Sequence, residues 1–340
     1  MAGRGTPRHP EFDSALFSPT DIARRLADGL AARWNVGIST FCRSSGPCTS
    51  FVGDARPQWS PLTPSPAPRP RSPIDLSLFS DAPPIDPLSA WTPEVILEHL
   101  PSGNPGLDGH TTEWIQHLSV QSLGFLADLL NAADRGVVPS FWSFARVTLI
   151  PKGPGSDADD RRPITILAVS YRLWAKRHAR HLTHWLNSWK PAGLTGAVPN
   201  LGAADQLWTI QSILDDARCG RLPPAFLLSL DQEKCFDRLH IDMLREIVVQ
   251  LGLPGCEISL NIYARLSRLL FVDGQPSDVW LHGDGITGIP QGCPLACFFC
   301  NLTAIAWHRT CSRAVSSGRF VTFLDNRLAI VIVAADPSSF

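Results

Sequence analysis

The sequence predicts an α+β domain built on an antiparallel sheet, and three observations predict it. From Trp91 onward, helical and strand periodicities follow one another without a strict strand–helix–strand rhythm. Two apolar runs in RFVTFLDNRLAIVIVAA flank a tight polar corner, a hairpin signal because Asp and Asn tolerate positive φ. The chain has 340 residues, 44% of them hydrophobic and 18% charged, which is enough apolar surface for a sizeable core.

The elements follow in chain order. FDSALFSPTDIARRLADGLAARW is compatible with one amphipathic helix, and the rest of residues 1–56 is weakly patterned. Residues 57–87 hold ten prolines among serines and arginines, so 57–90 is predicted to be an extended, disordered Pro-rich linker. A folded domain is predicted over 91–340. Within it, TTEWIQHLSVQSLGFLADLLNAADRG reads as a helix ended by Gly136, FARVTLIP alternates as a strand, and VSYRLWAKRHARHLTHWLNSW reads as a helix with a cationic side. AADQLWTIQSILDDARCG places Leu207, Ile210, Ile213 and Leu214 on one helical face, and AFLLSLD is a short buried strand ending in a carboxylate. HIDMLREIVVQLGLP is a helix with Ile241, Leu244, Val248 and Leu251 inward, stopped by Gly252 and Pro254. VWLHGDGITGIPQG reads as two short strands with glycine punctuation, followed by an apolar helix near 294–310 and the closing hairpin.

Charge and cysteine content narrow the function classes. Lys+Arg 30 against Asp+Glu 31 leaves a net charge of -1, so no global positive field attracts nucleic acid or an anionic membrane, and any such contact needs a local patch. Only four of the cations are lysines (Lys152, Lys176, Lys190, Lys234), an arginine excess that coding bias explains as readily as phosphate recognition. The N-terminus lacks an apolar signal stretch, and no run reaches the ~18 apolar residues of a spanning helix. A soluble intracellular protein without membrane association is expected. Nine scattered cysteines fit a reducing interior rather than a disulfide framework. Cys293, Cys297 and Cys300 sit among apolar residues and read as buried thiols, while His178, His181 and His184 read as a solvated basic helix face.

Two carboxylates stand out by placement: Asp231 at the end of one apolar strand and Asp325 at the hairpin corner. If the two strands are neighbours, both carboxylates meet, and such a pair suits Mg²⁺, which takes a few carboxylates plus waters and substrate phosphates. The competing reading is that Asp231 caps the next helix and Asp325 only makes the turn. Between Arg146 and Lys190, nine Lys/Arg face three Asp, either a phosphate-facing patch or a solvated helix side. GDGITGIPQGCP adds a loop whose backbone either approaches a nucleic-acid strand or simply turns.

Taken in order, SGNPGLDGHTTEW, VPSFWSFARVTLIPK with DDRRPITILAVSYRLWAK, LLSLDQEKCFDRLH, GIPQGCPLACFFCNL and FVTFLDNRL resemble the motifs of the reverse transcriptase domain of non-LTR (LINE-like) retrotransposons, over roughly 95–336. The resemblance implies right-hand polymerase fingers and palm with an antiparallel palm sheet, and a chain that stops at Phe340 without a thumb. It also implies that Asp231 and Asp325 hold two Mg²⁺ ions, with Mn²⁺ as a substitute. Lys152 and Arg162 would grip the phosphates of an incoming deoxynucleoside triphosphate, Phe236 would block a ribose 2′-OH, and Gln291 and Gly292 would line the template and nucleotide pocket. The implied partners are an RNA template and a DNA primer, whose 3′-OH attacks the α-phosphate. Nuclear residence follows from the family's way of life, although no compact basic run reads as a localisation signal. Asn326 departs from the pattern: it stands where the family has its second hairpin Asp, and a neutral amide holds Mg²⁺ less strongly than a carboxylate. Two functions therefore stand side by side, an RNA-directed DNA polymerase and a truncated, catalytically impaired remnant that is inactive or only binds nucleic acid.

Overall fold

The computed structural model describes residues 37–40, 59–61, 74–153, 161–223, 225–282, 288–316 and 318–332. The helix expected within 11–34 lies outside them. Ten strands and nine α-helices are defined among the described residues. They run β1 (Gly37–Thr40), β2 (Trp59–Pro61), α1 (Pro93–Glu98), α2 (Thr112–Gln116), α3 (Val120–Asp134), β3 (Val137–Pro139), β4 (Phe144–Pro151), β5 (Arg161–Leu167) and α4 (Val169–Trp189). There follow α5 (Ala203–Arg218), β6 (Ala225–Asp231), α6 (Cys235–Arg238), α7 (Ile241–Gln250), α8 (Cys256–Ala264), β7 (Ser267–Val272), β8 (Gln275–His282), α9 (Ala296–Ala314), β9 (Gly318–Phe323) and β10 (Asn326–Ile332).

The mixed α+β class is observed. One sheet has the order β1-β8-β7-β4-β5, a second the order β6-β10-β9, and β2 pairs with β3. The pairing is antiparallel except that β4 and β7 run parallel. Two local readings change. The helix expected from Thr111 to Arg135 is broken, because Ser119 accepts a hydrogen bond from Ser122 N (3.2 Å) and so starts α3 afresh after α2 has ended. Val279–His282 extend a longer strand, β8, joined to β7 through Asp273 and Gly274, whose φ values of 49° and 83° suit a two-residue hairpin turn, and residues 283–287 of the second expected strand lie outside the described residues.

Helix α4 runs through the centre of the core, with Tyr171, Leu173, Trp174 and Leu182 fully buried. Its cationic side is only partly solvated: Arg172, Arg177 and His178 are buried, whereas Arg180 and His184 are exposed. The Pro-rich stretch explains this. Chain 83–104 crosses α4 in the opposite direction, and its backbone carbonyls, which an extended segment cannot satisfy internally, accept from a ladder of α4 side chains. Trp185 Nε1 donates to Pro83 O (2.8 Å), His181 Nε2 to Asp86 O (2.7 Å), Arg177 Nη2 to Ser89 O (2.7 Å) and Lys176 Nζ to Leu100 O (2.6 Å). Arg172 completes the ladder with Ser102 O and Asn104 O, both at 2.8 Å. Part of the segment expected to be a linker thus packs on the body, and Leu78 and Phe79 enter the core. His178 bonds Asp134 Oδ1 (2.9 Å), which also accepts from Trp174 Nε1 (2.6 Å). Farther along, Arg146 stacks on Phe271 and Arg161 pairs with Asp273. The nine-cation segment is therefore largely spent on internal contacts, and Arg162 and Arg180 are its exposed arginines.

The start of α4 is fixed from outside the helix. Asp108 Oδ2 accepts from Val169 N (3.0 Å), replacing the side-chain cap that Ala168 lacks. Burial pushes the Asp108 carboxyl above its usual range.

Strand β6, expected to be buried, is an edge strand of its sheet among the described residues. Among the described residues it pairs only with β10, and Phe226, Leu228 and Leu230 are exposed on one face. On the other face α5 covers only the far end, where Ile210 and Ile213 meet Ile330 with Ala225 and Leu328. Leu207, expected on the inward face of α5, is exposed. Among the described residues no helix is long and apolar enough to cross a membrane.

Candidate functional site

The β6–β10 register places Asp231 directly opposite Asn326, and Asp325 occupies the adjoining turn. Gln232 N donates to Asp325 O (3.0 Å), which ties the end of β6 to the hairpin tip, and Asn326 Nδ2 donates to Asp325 Oδ1 (3.3 Å). The two strands are neighbours, as the meeting of the carboxylates required, and Asp231 pairs with Asn326, the residue after Asp325. The turn itself is made differently: Leu324, not Asp or Asn, takes the left-handed conformation at φ 52°. Asp231 does not cap the following helix either, because the residue before α6 is Lys234, at φ 51° and without a side-chain cap bond. Asp231 and Asn326 are exposed and Asp325 is half-buried, so the tip opens to solvent. Behind it, the pleat turns Arg327 to the opposite face. There it is buried, donates from Nη2 to Gln232 Oε1 (2.8 Å) and lies over the Trp307 ring at 5.6 Å.

A second cluster forms around residues 288–292. Gly288 N donates to Leu239 O and Ile289 N to Phe236 O, both at 2.9 Å, while Thr165 N donates to Gln291 O at 2.6 Å. Gln291 Nε2 reaches Asp237 Oδ1 at 3.4 Å. One loop thus joins β5, the turn carrying Phe236 and the segment before α9. Gly292 has φ 111°, and a Cβ there would lie 2.6 Å from Thr165 O. The need for glycine comes from the β5 backbone, the turn reading of this loop.

Arg162 is exposed in β5, opposite Ile150, on the same face as Ile164, whose Cγ2 would lie 3.5 Å from a Cβ at Gly292. Lys152 is exposed one residue beyond the Pro151–Arg161 pair, at the end of the same hairpin. Phe236 is half-buried. Two further residues escaped the sequence reading. Asp237 is 2% exposed and Arg268 3% exposed; burial pushes the Arg268 guanidinium down to about 10, with the Asp237 charge opposing the shift. Asp237 stands inside the quoted LLSLDQEKCFDRLH segment, and Arg268 is a cation inside an apolar strand, which was the available signal.

No group of three or more His, Cys, Asp or Glu able to hold a metal occurs among the described residues. The tip offers two carboxylates and an amide oxygen. That all-oxygen donor set fits a hard divalent cation, with one negative charge fewer than three carboxylates would give.

No protein-family model matches the chain. Over 198 residues, 57% of the chain, it is 30% identical to the Transposon TX1 uncharacterized 149 kDa protein of Xenopus laevis, of whose length it spans 15%. Solved structures include apo telomerase from Candida tropicalis truncated from its C-terminal domain, at a TM-score of 0.41 and 14% identity, covering 63% of this chain and 49% of that one. Telomerase from Candida albicans in complex with a TWJ fragment of telomeric RNA gives a TM-score of 0.41 and 14% identity, covering 59% and 39%. The ordered motifs resemble those of a reverse transcriptase domain. The chain's sequence similarity is to a transposon protein.

Proposed function

We propose that the chain carries the nucleotide-adding core of an RNA-directed DNA polymerase of the non-LTR retrotransposon type, with the β6-β10-β9 sheet as its palm and the β4–β5 hairpin among its fingers. The observation that carries this reading is the register that sets Asp231 opposite Asn326 beside Asp325. In the reaction, the 3′-OH of a DNA primer on an RNA template attacks the α-phosphate of a deoxynucleoside triphosphate, and pyrophosphate leaves. Asp231 and Asp325 would hold two Mg²⁺ or Mn²⁺ ions, and Asn326 would contribute its amide oxygen. When bound, the metal supplies charge stabilisation at the transferring phosphate. Arg162 and Lys152 hold the triphosphate, with Arg162 able to make a bidentate contact. Phe236 limits the space at the sugar, and Gln291, supported by Asp237, orients the base.

Asn326 favours a second reading, a remnant that binds nucleic acid with little or no catalysis. Primer extension on an RNA template with Mg²⁺ or Mn²⁺ separates the two. Incorporation by the wild type that Asp231→Ala abolishes supports the enzyme; no incorporation by either supports the remnant. A remnant that binds primer–template must also show salt-dependent affinity. Because most of the 146–190 cations are engaged internally, that dependence should be shallow, with a slope of about −0.9 for each phosphate neutralised.

A further inference from the structure

Seven cysteines are free among the described residues. Cys293 is committed to a buried polar cluster, with its Sγ 2.8 Å from Tyr263 Oη and 3.4 Å from Tyr171 Oη. Cys256 is fully enclosed within the apolar core. Cys235 and Cys300 differ: their Sγ atoms lie 3.5 Å apart although 65 residues separate them in sequence. Cys235 is the first residue of α6, in the turn after Asp231, and Cys300 lies on α9, which follows Gln291 and Gly292. The hydrogen bond with Cys300, and after it the Arg327 guanidinium, hold the Cys235 thiol below its usual range against burial, while Cys300 is pushed above its own.

We propose that Cys235 and Cys300 form a reversible intrachain disulfide, an oxidative modification site that clasps the turn after Asp231 to helix α9. The inference stands on this pair alone and does not depend on polymerase activity. A disulfide of about 2.05 Å requires the sulfurs to close by roughly 1.5 Å, a distance that side-chain rotation and small backbone adjustments supply. Hydrogen peroxide, small enough to reach a buried thiol, serves as oxidant. The Cys235 thiolate attacks one peroxide oxygen and the O–O bond breaks; the departing hydroxide takes up the proton Cys235 had released and leaves as water, and Cys235 becomes a sulfenic acid. Cys300 sulfur then attacks that sulfur, the S–O bond breaks, and a second water leaves with the remaining thiol proton. In sum, two thiols and one peroxide give one disulfide and two waters. A dithiol reductant reverses the bond by thiol–disulfide exchange.

The test is peptide mapping of the full chain after peroxide treatment and alkylation without reduction. The expected product is a cross-linked peptide joining residues 235 and 300, lighter by two hydrogen atoms than its reduced parts and lost on adding dithiothreitol. Cys297→Ser should retain the link, whereas Cys235→Ser and Cys300→Ser should abolish it. Exposed Cys219 serves as the internal oxidation control. Free thiols at both positions once Cys219 is oxidised, or a link from Cys235 to Cys297 instead, overturns the proposal. The wild-type map decides even if a serine variant does not fold. Amide hydrogen exchange over 232–238 should slow several-fold in the oxidised chain; unchanged exchange refutes the clasp.

Discussion

Replacing Gly292 with alanine tests whether the loop bearing Gln291 is held by the β5 backbone. At φ 111° an alanine pays a conformational cost of about 1–3 kcal/mol. Its Cβ would sit 2.6 Å from Thr165 O, a backbone atom inside a strand that cannot rotate away. Relieving that overlap costs about 1–3 kcal/mol more, as overpacking does elsewhere. Shifting the loop also weakens the bond from Thr165 N to Gln291 O, worth about 1 kcal/mol. The expected total is about 3–7 kcal/mol, a large fraction of a domain's usual 5–15 kcal/mol. Gly274→Ala supplies the control, since Gly274 has φ 83° but nothing within 4 Å of its Cβ position. Urea unfolding followed by tryptophan fluorescence should place Gly292→Ala at least 2 kcal/mol below Gly274→Ala, taking roughly the contact and hydrogen-bond contributions together. Equal destabilisation of the two variants would refute the steric account of Gly292.

Asn326→Asp adds a carboxylate opposite Asp231, and repulsion at a solvent-exposed tip costs about 1 kcal/mol per close pair. The variant should melt lower than wild type without divalent ions, regain the difference in Mg²⁺, and raise any incorporation rate by ~10²–10³; a melting gap that Mg²⁺ leaves unchanged would count against a cation site. Arg177→Met removes the donor to Ser89 O and should cost about 1.5–3 kcal/mol, with faster amide exchange over 83–90; unaltered exchange there would show that the ladder does not hold the segment. Asp108 gives a pH signature. Its pKa is raised in the folded state, so its favourable contribution is present below the ordinary carboxylate range of about 4 and is lost as pH rises through the folded value. Asp108→Asn keeps an acceptor for Val169 N and should gain on the wild type as pH rises through that window, whereas Asp108→Ala loses the cap at about 1 kcal/mol. A wild-type–Asn difference independent of pH, read from urea midpoints across the acid range, would contradict the burial account.

Local chemistry made much of the fold legible. Apolar spacing located the helices at 169–189, 241–250 and 296–314 and the strands at 144–151 and 326–332 to within a few residues, because each buries one continuous stripe or face. The placement of Asp231 at the end of one strand and Asp325 at the adjoining hairpin corner was also legible, since each stands at the edge of its own apolar run. The Asp273-Gly274 hairpin carried its own signal, two residues suited to positive φ between strand-like runs, and went unread. The break between α2 and α3 turned on one serine side chain, which hydropathy does not register.

The sequence by itself determined the α+β class, the order of the motifs and the identity of the tip residues, Asn326 included, because these rest on residue type and short-range spacing. Tertiary structure alone decided where the charges and apolar faces went. Whether an arginine on α4 meets water or the carbonyl of Ser89 depends on chain 88 residues away, and the same distance hides the function of the Pro-rich segment. Whether Leu228 is core or surface depends on how many strands flank β6. Asp237 could be joined to Arg268 and Gln291, and Cys235 to Cys300, only by packing, because burial is a property of the assembled neighbours and not of the local sequence.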